Sequence, residues 1–168
     1  MKAILNRLFN HERLGREEAR QVLLDVSHAR YNHVQVASFM TVFQMRPVAI
    51  AELQGFRDAL LELCVPFEVE DLETIDIVGT GGDGKNTFNI STTSAVVVAG
   101  AGYKVTKHGS YGVSSSVGSS NVLQELGYLV TNDTDTRRRH LDQAHIGFMH
   151  APLLHRAKQQ LGAVRNHP

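Results

Sequence analysis

The sequence predicts an α/β protein in which a small N-terminal helical domain precedes part of a parallel-sheet α/β domain with glycine-rich phosphate loops. In the first 67 residues apolar side chains recur at helical spacing, and ten of the fourteen glycines lie between Gly79 and Gly127. Apolar runs separate these glycines in the order strand, glycine loop, helix, strand, glycine/serine loop, helix. This alternation is typical of βαβ units and of a parallel sheet.

The N-terminal part is expected to consist of helices. Apolar side chains fall on one helical face in residues 16–28 and again in residues 49–63. Pro47 is expected to start the last of these helices, because proline suits the first turn of a helix. The acidic run that follows is expected to be a solvated hinge. The predicted division is a helical domain over 1–67, a hinge over 68–76 and a partial α/β domain over 77–168.

Short apolar runs in the second part predict three parallel strands with helices between them. The strands are predicted at 75–78, 103–107 and 146–150, and the helices at 91–101, 117–126 and 134–144. Ser119 or Ser120 is expected to cap the second of these helices, and Asp133 and Asp135 the third. The run 91–101 is small and apolar, which predicts a buried helix.

Two glycine-containing loops follow strands and lead into helices, which is where open α/β sheets bind ligands. Residues 79–84 have no bulky side chain, so their amides can face phosphate oxygens beside a helix N-terminus. Hydroxyls, one amide and one full positive charge accompany these loops: Asn89, Ser91, Thr92, Lys107, Ser114, Ser115, Ser116, Ser119 and Ser120. This inventory predicts a ligand that carries two separated phosphate groups.

Two better-known phosphate motifs fit the first loop less well. The nucleotide P-loop pattern is followed from Gly79 to Lys85, but Asn86 stands where a hydroxyl must reach magnesium, and Thr87 comes one residue late. The dinucleotide pattern G-x-G-x-x-G is present, yet residues 85–89 are a poor helix start. Neither an ATPase nor a dinucleotide-binding enzyme is therefore favoured.

The composition indicates which classes of binding partner and which cellular compartment to expect. Lysine plus arginine and aspartate plus glutamate both number 17, so the balanced charge gives no general attraction to nucleic acid or to a membrane surface. No apolar run approaches the ~20 residues of a membrane span. The single Cys64 is expected in the core and cannot form an internal disulfide, which favours a cytoplasmic protein.

Three adjacent arginines and a series of histidines near the end of the chain are not expected to bind phosphate or metal. Arg137, Arg138 and Arg139 are adjacent on a predicted helix and are expected to form a solvated face. Four histidines recur every five residues from 140 to 155. This spacing crosses the predicted elements, so a zinc site built from these histidines is not expected.

Three motifs resemble the anthranilate phosphoribosyltransferase family in their order and spacing. They are DIVGTGGDG at 76–84, NIST at 89–92, and KHG at 107–109 followed by Ser114-Ser115 and Gly118-Ser119. The resemblance extends from residue 1 to about residue 165. It implies transfer of the phosphoribosyl group from phosphoribosyl pyrophosphate (PRPP) to anthranilate in tryptophan biosynthesis, with PRPP bound by the partial α/β domain over 77–168. It also implies Mg²⁺ as the cofactor, a homodimer through the N-terminal helices, and the order helical domain, hinge, α/β domain.

The resemblance also implies which residues contact the two substrates. PRPP is expected on Gly79, Gly82, Asp83, Thr87, Asn89, Ile90, Ser91, Thr92, Lys107, His108, Gly109, Ser114, Ser115 and Ser119. Anthranilate is expected on Gly79, Ser110 and Arg165, and Ser91 is expected to be one magnesium ligand. No nucleophilic residue is required, so catalysis is expected to depend on positioning and electrostatics.

The chain also departs from the family pattern. Ser110 stands where the family usually has an asparagine, and the family's later half, with an acidic pair implied to hold magnesium, does not follow. The chain is therefore expected to correspond to the N-terminal portion of the family and to bind PRPP but turn it over poorly. Two alternatives remain open: a nucleoside phosphorylase-like enzyme, and a non-catalytic phosphate-binding or dimerising fragment.

Overall fold

The computed structural model describes residues 1–69, 71–81, 84, 87–112 and 116–155. They divide into two compact units, one of which is Met1–Val65 together with His155, and the other Pro66–Leu154. Each unit has an apolar core of its own. Within these ranges the chain contains no helix with the length and apolar character that crossing a membrane requires.

The first unit contains four helices, as its apolar spacing predicts. They are α1 (Lys2–Phe9), α2 (Arg16–Ser27), α3 (His33–Met45) and α4 (Ile50–Glu62). A capping box starts α3, in which the Asn32 side chain accepts from the Gln35 amide and the Gln35 side chain accepts from the Asn32 amide. The expectation that Pro47 starts α4 is wrong. That helix begins at Ile50, where the Glu52 side chain caps the Ala49 amide.

Close packing joins the helices of this unit. The rings of Phe39, Phe43 and Phe56 meet edge to face, with centroids 5.0–6.1 Å apart. Gly55 allows α4 to approach α2, because a Cβ at this position would lie 2.1 Å from the Arg16 carbonyl oxygen. Cys64 is half-buried at the edge of the unit, so the prediction of a core cysteine is wrong.

A buried carboxylate connects three segments of the helical unit. Glu52 is fully buried, and it accepts hydrogen bonds from the Leu14 amide (3.0 Å), the Ala49 amide (2.8 Å) and both terminal nitrogens of Arg46 (2.6 and 2.9 Å). Burial by itself would raise the pKa of this carboxyl, but the hydrogen bonds from Arg46, Leu14 and Ala49 lower it to about 2. The charge is therefore stabilised in the folded protein.

The second unit contains the predicted parallel sheet. Its strands are β1 (Thr74–Asp76), β2 (Lys104–Gly109) and β3 (Ile146–His150), in the spatial order β1-β2-β3, and both pairings are parallel. Its helices are α5 (Ile90–Gly100), α6 (Ser119–Glu125), α7 (Thr134–Ala144) and α8 (Ala151–Leu154). The predicted fold class, a helical domain followed by part of a parallel α/β domain, is confirmed.

Some boundaries and caps differ from the prediction. Strand β1 begins one residue before the predicted 75–78 run and ends at Asp76. The N-cap of α6 is Gly118, so the expectation of Ser119 or Ser120 in that place is wrong. The reason is that Asn121, at the third position of the helix, turns its side-chain oxygen back to the Gly118 amide (2.9 Å). Asp133 caps α7 as predicted, accepting from the Thr136 amide, whereas Asp135 lies inside the first turn of the helix, so its expected role as a cap is wrong.

Helix α5 is only half covered by the described residues. Thr92, Ala95 and Ala99 are buried, while Val96 and Val97 are 53% and 66% exposed. The prediction of a buried helix therefore holds for one face. Apolar residues lie on all faces of α5, but the described part of the chain packs against one face only.

The three adjacent arginines of α7 have different environments. Arg137 is fully buried, lies over the Phe67 ring at 4.5 Å and donates to the Asn132 carbonyl oxygen at 3.0 Å. Arg138 forms an ion pair with Asp71 near the surface. The expected solvated face is thus wrong for Arg137, because Phe67 packs across its guanidinium and makes burial favourable.

Candidate functional site

The candidate site lies where β1 and β2 end side by side. Because the strands are adjacent and parallel, their carboxyl ends lie at the same edge of the sheet. A hydrogen bond of 2.9 Å between Asp76 Oδ1 and His108 Nδ1 joins these two ends. The glycine loop after β1 and the loop after β2 therefore start from positions that are linked directly.

The first glycine loop passes against the start of α5. A Cβ built on Gly79 would lie 3.1 Å from Ser91 Oγ, so this backbone and the first turn of α5 are neighbours. Gly81 and Gly84 have positive φ angles of 64° and 70°, which side chains at these positions would disfavour. A helix N-terminus carries partial positive charge and amides with no partner inside the helix. This loop and helix end together can accept an anion.

Thr92, in the first turn of α5, has a buried hydroxyl. Its residue is 5% exposed, and within the described ranges Oγ1 has no hydrogen-bond partner. An unsatisfied buried polar group costs about 1–3 kcal/mol. A hydrogen-bond partner for this hydroxyl would remove that cost, and the predicted role of Thr92 requires that a ligand oxygen reach it.

Lys107 is a buried cation on the central strand. The residue is fully buried, and its Nζ donates to the His108 carbonyl oxygen at 2.6 Å, the one hydrogen bond that the described part of the chain provides for it. Burial lowers the pKa of Lys107 from its ordinary value, and the charge of Asp76 acts in the opposite direction. The described residues therefore compensate this positive charge only in part. A phosphate group would supply the missing anion.

The second loop is joined to α6. A Cβ on Gly109 would lie 2.8 Å from the Ser119 Cβ and 2.8 Å from Phe148 Cε2, so glycine is required for this approach. The next residue, Ser110, accepts the Ser120 amide on its carbonyl oxygen at 3.1 Å. These contacts bring predicted PRPP and anthranilate residues to the N-terminus of one helix.

The fold brings together two pairs of predicted site residues that are distant in the sequence. These pairs are Gly79 with Ser91, and Gly109 with Ser119. Thr87 and Ile90 are exposed near the start of α5, and Asn89 is the N-cap of that helix. Five further predictions lie outside the described residues: Gly82, Asp83, Ser114, Ser115 and Arg165.

Sequence reasoning gave no role to two contributors to this region. Asp76 lies at the end of β1 and orients His108, and Asn121 contacts the loop before it. The predicted strand 75–78 placed Asp76 inside the strand, and the partners of Asn121 are backbone amides, so the sequence carried no signal for either. Ser120, expected among the loop hydroxyls, is buried with its hydroxyl 2.8 Å from the His150 Nδ1.

The magnesium prediction can be compared with the oxygen donors present. Among the described residues there is no group of three or more His, Cys, Asp or Glu that fits a metal ion. Ser91 contributes a single hydroxyl near Gly79. Magnesium prefers about six oxygens and usually one or two carboxylates with substrate phosphates. The described residues therefore do not form a magnesium site by themselves.

Comparison with protein families matches both parts of the chain. The helical bundle domain of the glycosyl transferase family matches residues 2–64, and the a/b domain of the same family matches residues 71–167. Curated anthranilate phosphoribosyltransferases from Christiangramia forsetii and Flavobacterium psychrophilum are 52% and 54% identical over 165 residues. Each alignment covers 98% of this chain and 50% of the relative. The chain thus spans about half the length of the curated relatives it matches.

Solved structures give the same result. An anthranilate phosphoribosyltransferase from Thermus thermophilus superposes with a TM-score of 0.82 at 30% identity, over 96% of this chain and 49% of that one. The enzyme from Saccharomyces cerevisiae in complex with PRPP and Mg superposes with a TM-score of 0.79 at 25% identity, with the same coverage. The fold and the sequence agree, and the chain belongs to the glycosyl transferase family that the helical bundle and a/b domain models describe.

Proposed function

We propose that this chain forms the PRPP-binding portion of an anthranilate phosphoribosyltransferase. The observation that carries the proposal is Lys107, a fully buried cation with one described hydrogen bond, at the sheet edge where two glycine loops begin. The names of the relatives support the same activity. In the full-length protein the reaction transfers the phosphoribosyl group of PRPP to anthranilate, a step of tryptophan biosynthesis in the cytoplasm.

The residues of this chain would act mainly on the leaving pyrophosphate. The loop amides near Gly79, the N-terminus of α5 and the Lys107 ammonium each place positive charge where negative charge accumulates. As the bond from ribose C1 to the pyrophosphate oxygen breaks, C1 gains oxocarbenium character, and the anthranilate amine forms the new C–N bond. Positioned charges rather than a nucleophilic side chain lower the barrier in this mechanism.

The acceptor is assigned to the side of the site that includes Ser110. Ser110 follows the Lys107–Gly109 segment directly and is joined to α6 through the Ser120 amide. With Gly79 and Arg165 it makes up the proposed anthranilate set. A serine at this position has a shorter reach than an asparagine, so affinity for anthranilate is expected to depend on how this loop is positioned.

If magnesium is bound together with PRPP, the Ser91 hydroxyl of this chain would be one of its ligands. In this role the metal would neutralise charge on the leaving group. The complex of the Saccharomyces cerevisiae enzyme with PRPP and Mg supports its use in the family. The roles given to Gly79, Lys107 and Ser110 do not depend on the metal.

A homodimer through the N-terminal helices is part of the proposal. Large apolar side chains are exposed where α3 ends and α4 begins, with Met45 at 83%, Ile50 at 77% and Leu53 at 61%. Apolar side chains gathered in this way are typical of protein contacts. Light scattering should give a mass above that of the monomer, and a monomer mass at high protein concentration would contradict the dimer.

Titration calorimetry with PRPP tests the proposed binding site. Lys107→Ala is expected to weaken binding by roughly 1.5–3 kcal/mol, the range for a hydrogen bond to a charged group. The matched control is Lys104→Ala on the same strand. The Lys104 ammonium pairs with Asp142 at 2.7 Å, so this variant is expected to leave PRPP binding unchanged. Unchanged affinity in Lys107→Ala would remove this lysine from the site.

A fluorescence assay that follows anthranilate loss separates the open alternatives. Turnover with PRPP and anthranilate would support the transferase. PRPP binding with little or no turnover is expected if this chain supplies the PRPP-binding portion alone, and is shared with a non-catalytic phosphate-binding chain. Phosphorolysis of a nucleoside would favour a phosphorylase-like enzyme. The absence of PRPP binding would contradict the proposed function itself.

A further inference from the structure

A set of contacts closes the loop between β2 and α6, and no substrate role assigned above uses it. The chain leaves β2 at Gly109 and enters α6 at Ser119. A Cβ on Gly118 would lie 2.3 Å from the Gly112 nitrogen and 2.6 Å from the Ser110 carbonyl oxygen. The residues just after β2 therefore lie directly on the residue that caps α6.

Asn121 is the side chain that joins the two ends of this loop. Its Oδ1 accepts the Gly118 amide at 2.9 Å and the Gly112 amide at 3.3 Å. One oxygen thus pairs with two backbone amides from opposite ends of the loop. An acceptor used in this way stabilises loop closure, because both amides would otherwise require separate partners.

Ser120 makes the neighbouring connections. Its amide donates to the Ser110 carbonyl oxygen, and its buried hydroxyl lies 2.8 Å from the His150 Nδ1 at the end of β3. The His150 ring also meets the Tyr111 ring at 5.0 Å. Residues 110–112 are therefore connected both to the first turn of α6 and to the neighbouring strand.

We propose that Asn121 is a positioning residue of the candidate site. It joins the loop ends through Gly112 and Gly118, and thereby holds Ser110, whose carbonyl oxygen accepts the Ser120 amide, against the start of α6. Asn121 itself contacts no substrate in this proposal. The substrate effect rests on the proposed function, whereas the closure of the loop does not.

The first test measures loop closure without any ligand. In the full 168-residue chain, Asn121→Ala should speed amide hydrogen exchange of Gly112 and Gly118 by roughly tenfold, the upper range for one net hydrogen bond. Asn121→Asp keeps an oxygen at the same place and should stay within about twofold of the unmodified chain. Glu125→Ala, at the exposed end of the same helix, is the control and should change neither rate. Unchanged exchange in Asn121→Ala would overturn the proposal.

The second test measures the effect on substrates. Asn121→Ala should raise the dissociation constant for anthranilate, measured by calorimetry with PRPP present, about tenfold. PRPP affinity should stay within about twofold, and Asn121→Asp should restore the affinity for anthranilate. An equal loss for both substrates, or a loss that Asn121→Asp does not restore, would show a general structural role and contradict positioning. If the unmodified chain binds neither substrate, the proposed function and the substrate role both fail, while hydrogen exchange still decides loop closure.

A folding defect does not prevent the test. Should Asn121→Ala fail to fold, Asn121→Ser shortens the acceptor beyond reach of Gly112 and permits the same comparison. Ser120→Ala removes the hydroxyl beside His150 but leaves both Asn121 contacts in place. It should therefore leave the exchange of Gly112 unchanged, and rapid exchange there would assign closure to Ser120 rather than to Asn121.

Discussion

Glu52 in the helical unit and Lys107 in the α/β unit are both fully buried charges, but their surroundings are opposite. Glu52 accepts four hydrogen bonds, two from Arg46 and two from backbone amides, and its pKa falls to about 2. Lys107 has one described hydrogen bond, to a neutral carbonyl, and burial lowers its pKa. For an acid a lower pKa means that the charge is stabilised, and for a lysine it means that the charge is disfavoured.

The comparison separates a structural charge from a binding charge. Glu52 has its partners inside the protein and contributes to folding. Among the described residues Lys107 forms no ion pair, although the charge of Asp76 acts on it, and it gains a direct anionic partner if a phosphate binds. Burial of a charged side chain therefore does not identify a binding site by itself. A buried charge that the protein compensates only in part does point to one.

Removing the Glu52 carboxylate is expected to have the largest effect. Glu52→Ala leaves Arg46, whose side chain is 14% exposed, without its partner, and breaking a buried ion pair typically costs about 3–5 kcal/mol. Urea unfolding of the helical unit gives the free energy of unfolding. The control is Glu62→Ala, because Glu62 is 49% exposed and pairs with Arg20 at the surface, where such pairs contribute about 0–1 kcal/mol. An equal loss of unfolding free energy in the two variants would show that the buried carboxylate of Glu52 contributes no more than an exposed one.

Acid should weaken the helical unit through the same group. The pKa of Glu52 is about 2 in the folded protein, below the value of about 4.3 in the unfolded chain. The contribution of Glu52 to the free energy of unfolding is therefore complete above about pH 4.3 and is lost as the pH falls toward 2. The full difference is on the order of 3 kcal/mol. Urea unfolding between pH 5 and pH 2.5 measures it. Glu52→Gln should flatten this dependence, and an equally steep profile would assign it to other carboxylates.

Lys107→Met is expected to show the opposite pattern to Glu52→Ala. Methionine retains most of the side-chain volume and removes a charge that burial disfavours, so the unliganded chain should keep its unfolding free energy or gain about 1–2 kcal/mol. PRPP binding should fall at the same time. A loss of stability comparable to that of Glu52→Ala would show that Lys107 is a structural charge as well.

An exposed charge should have the smallest effect. Arg138 pairs with Asp71, with side chains 38% and 61% exposed, so Arg138→Ala should change the free energy of unfolding by less than about 1 kcal/mol. The adjacent buried Arg137 provides a contrast, and Arg137→Ala should cost more because it empties the space beneath Phe67. Thermal unfolding of the two variants measures the difference, and similar losses would contradict the role assigned to burial.

The order of elements was predictable from the sequence, whereas burial on individual faces was not. Alternating apolar runs and glycines predicted the three parallel strands and the helices between them, because local periodicity reports element type. The same periodicity did not predict Arg137, whose burial depends on Phe67, a residue 70 positions away in the chain. It also did not predict that Glu52, rather than Pro47, organises the start of α4.

The candidate site shows a similar division. The glycine loops and Lys107 were predictable, because small flexible residues and a cation at the carboxyl ends of parallel strands are typical of phosphate binding. The depressed pKa of Lys107 was not, since it depends on the packing around β2. The Asn121 contacts were also hidden, because backbone amides leave no mark in the sequence.

The most direct test follows the ionisation of Lys107 by NMR. Lysine side chains labelled at Cε are titrated in the free chain and with saturating PRPP, and Lys107→Met identifies the signal. The account predicts a pKa below the ordinary lysine value in the free chain and a higher pKa when PRPP binds, because a nearby anion favours the charged form. An ordinary lysine pKa in the free chain, or a pKa that PRPP leaves unchanged, would contradict it.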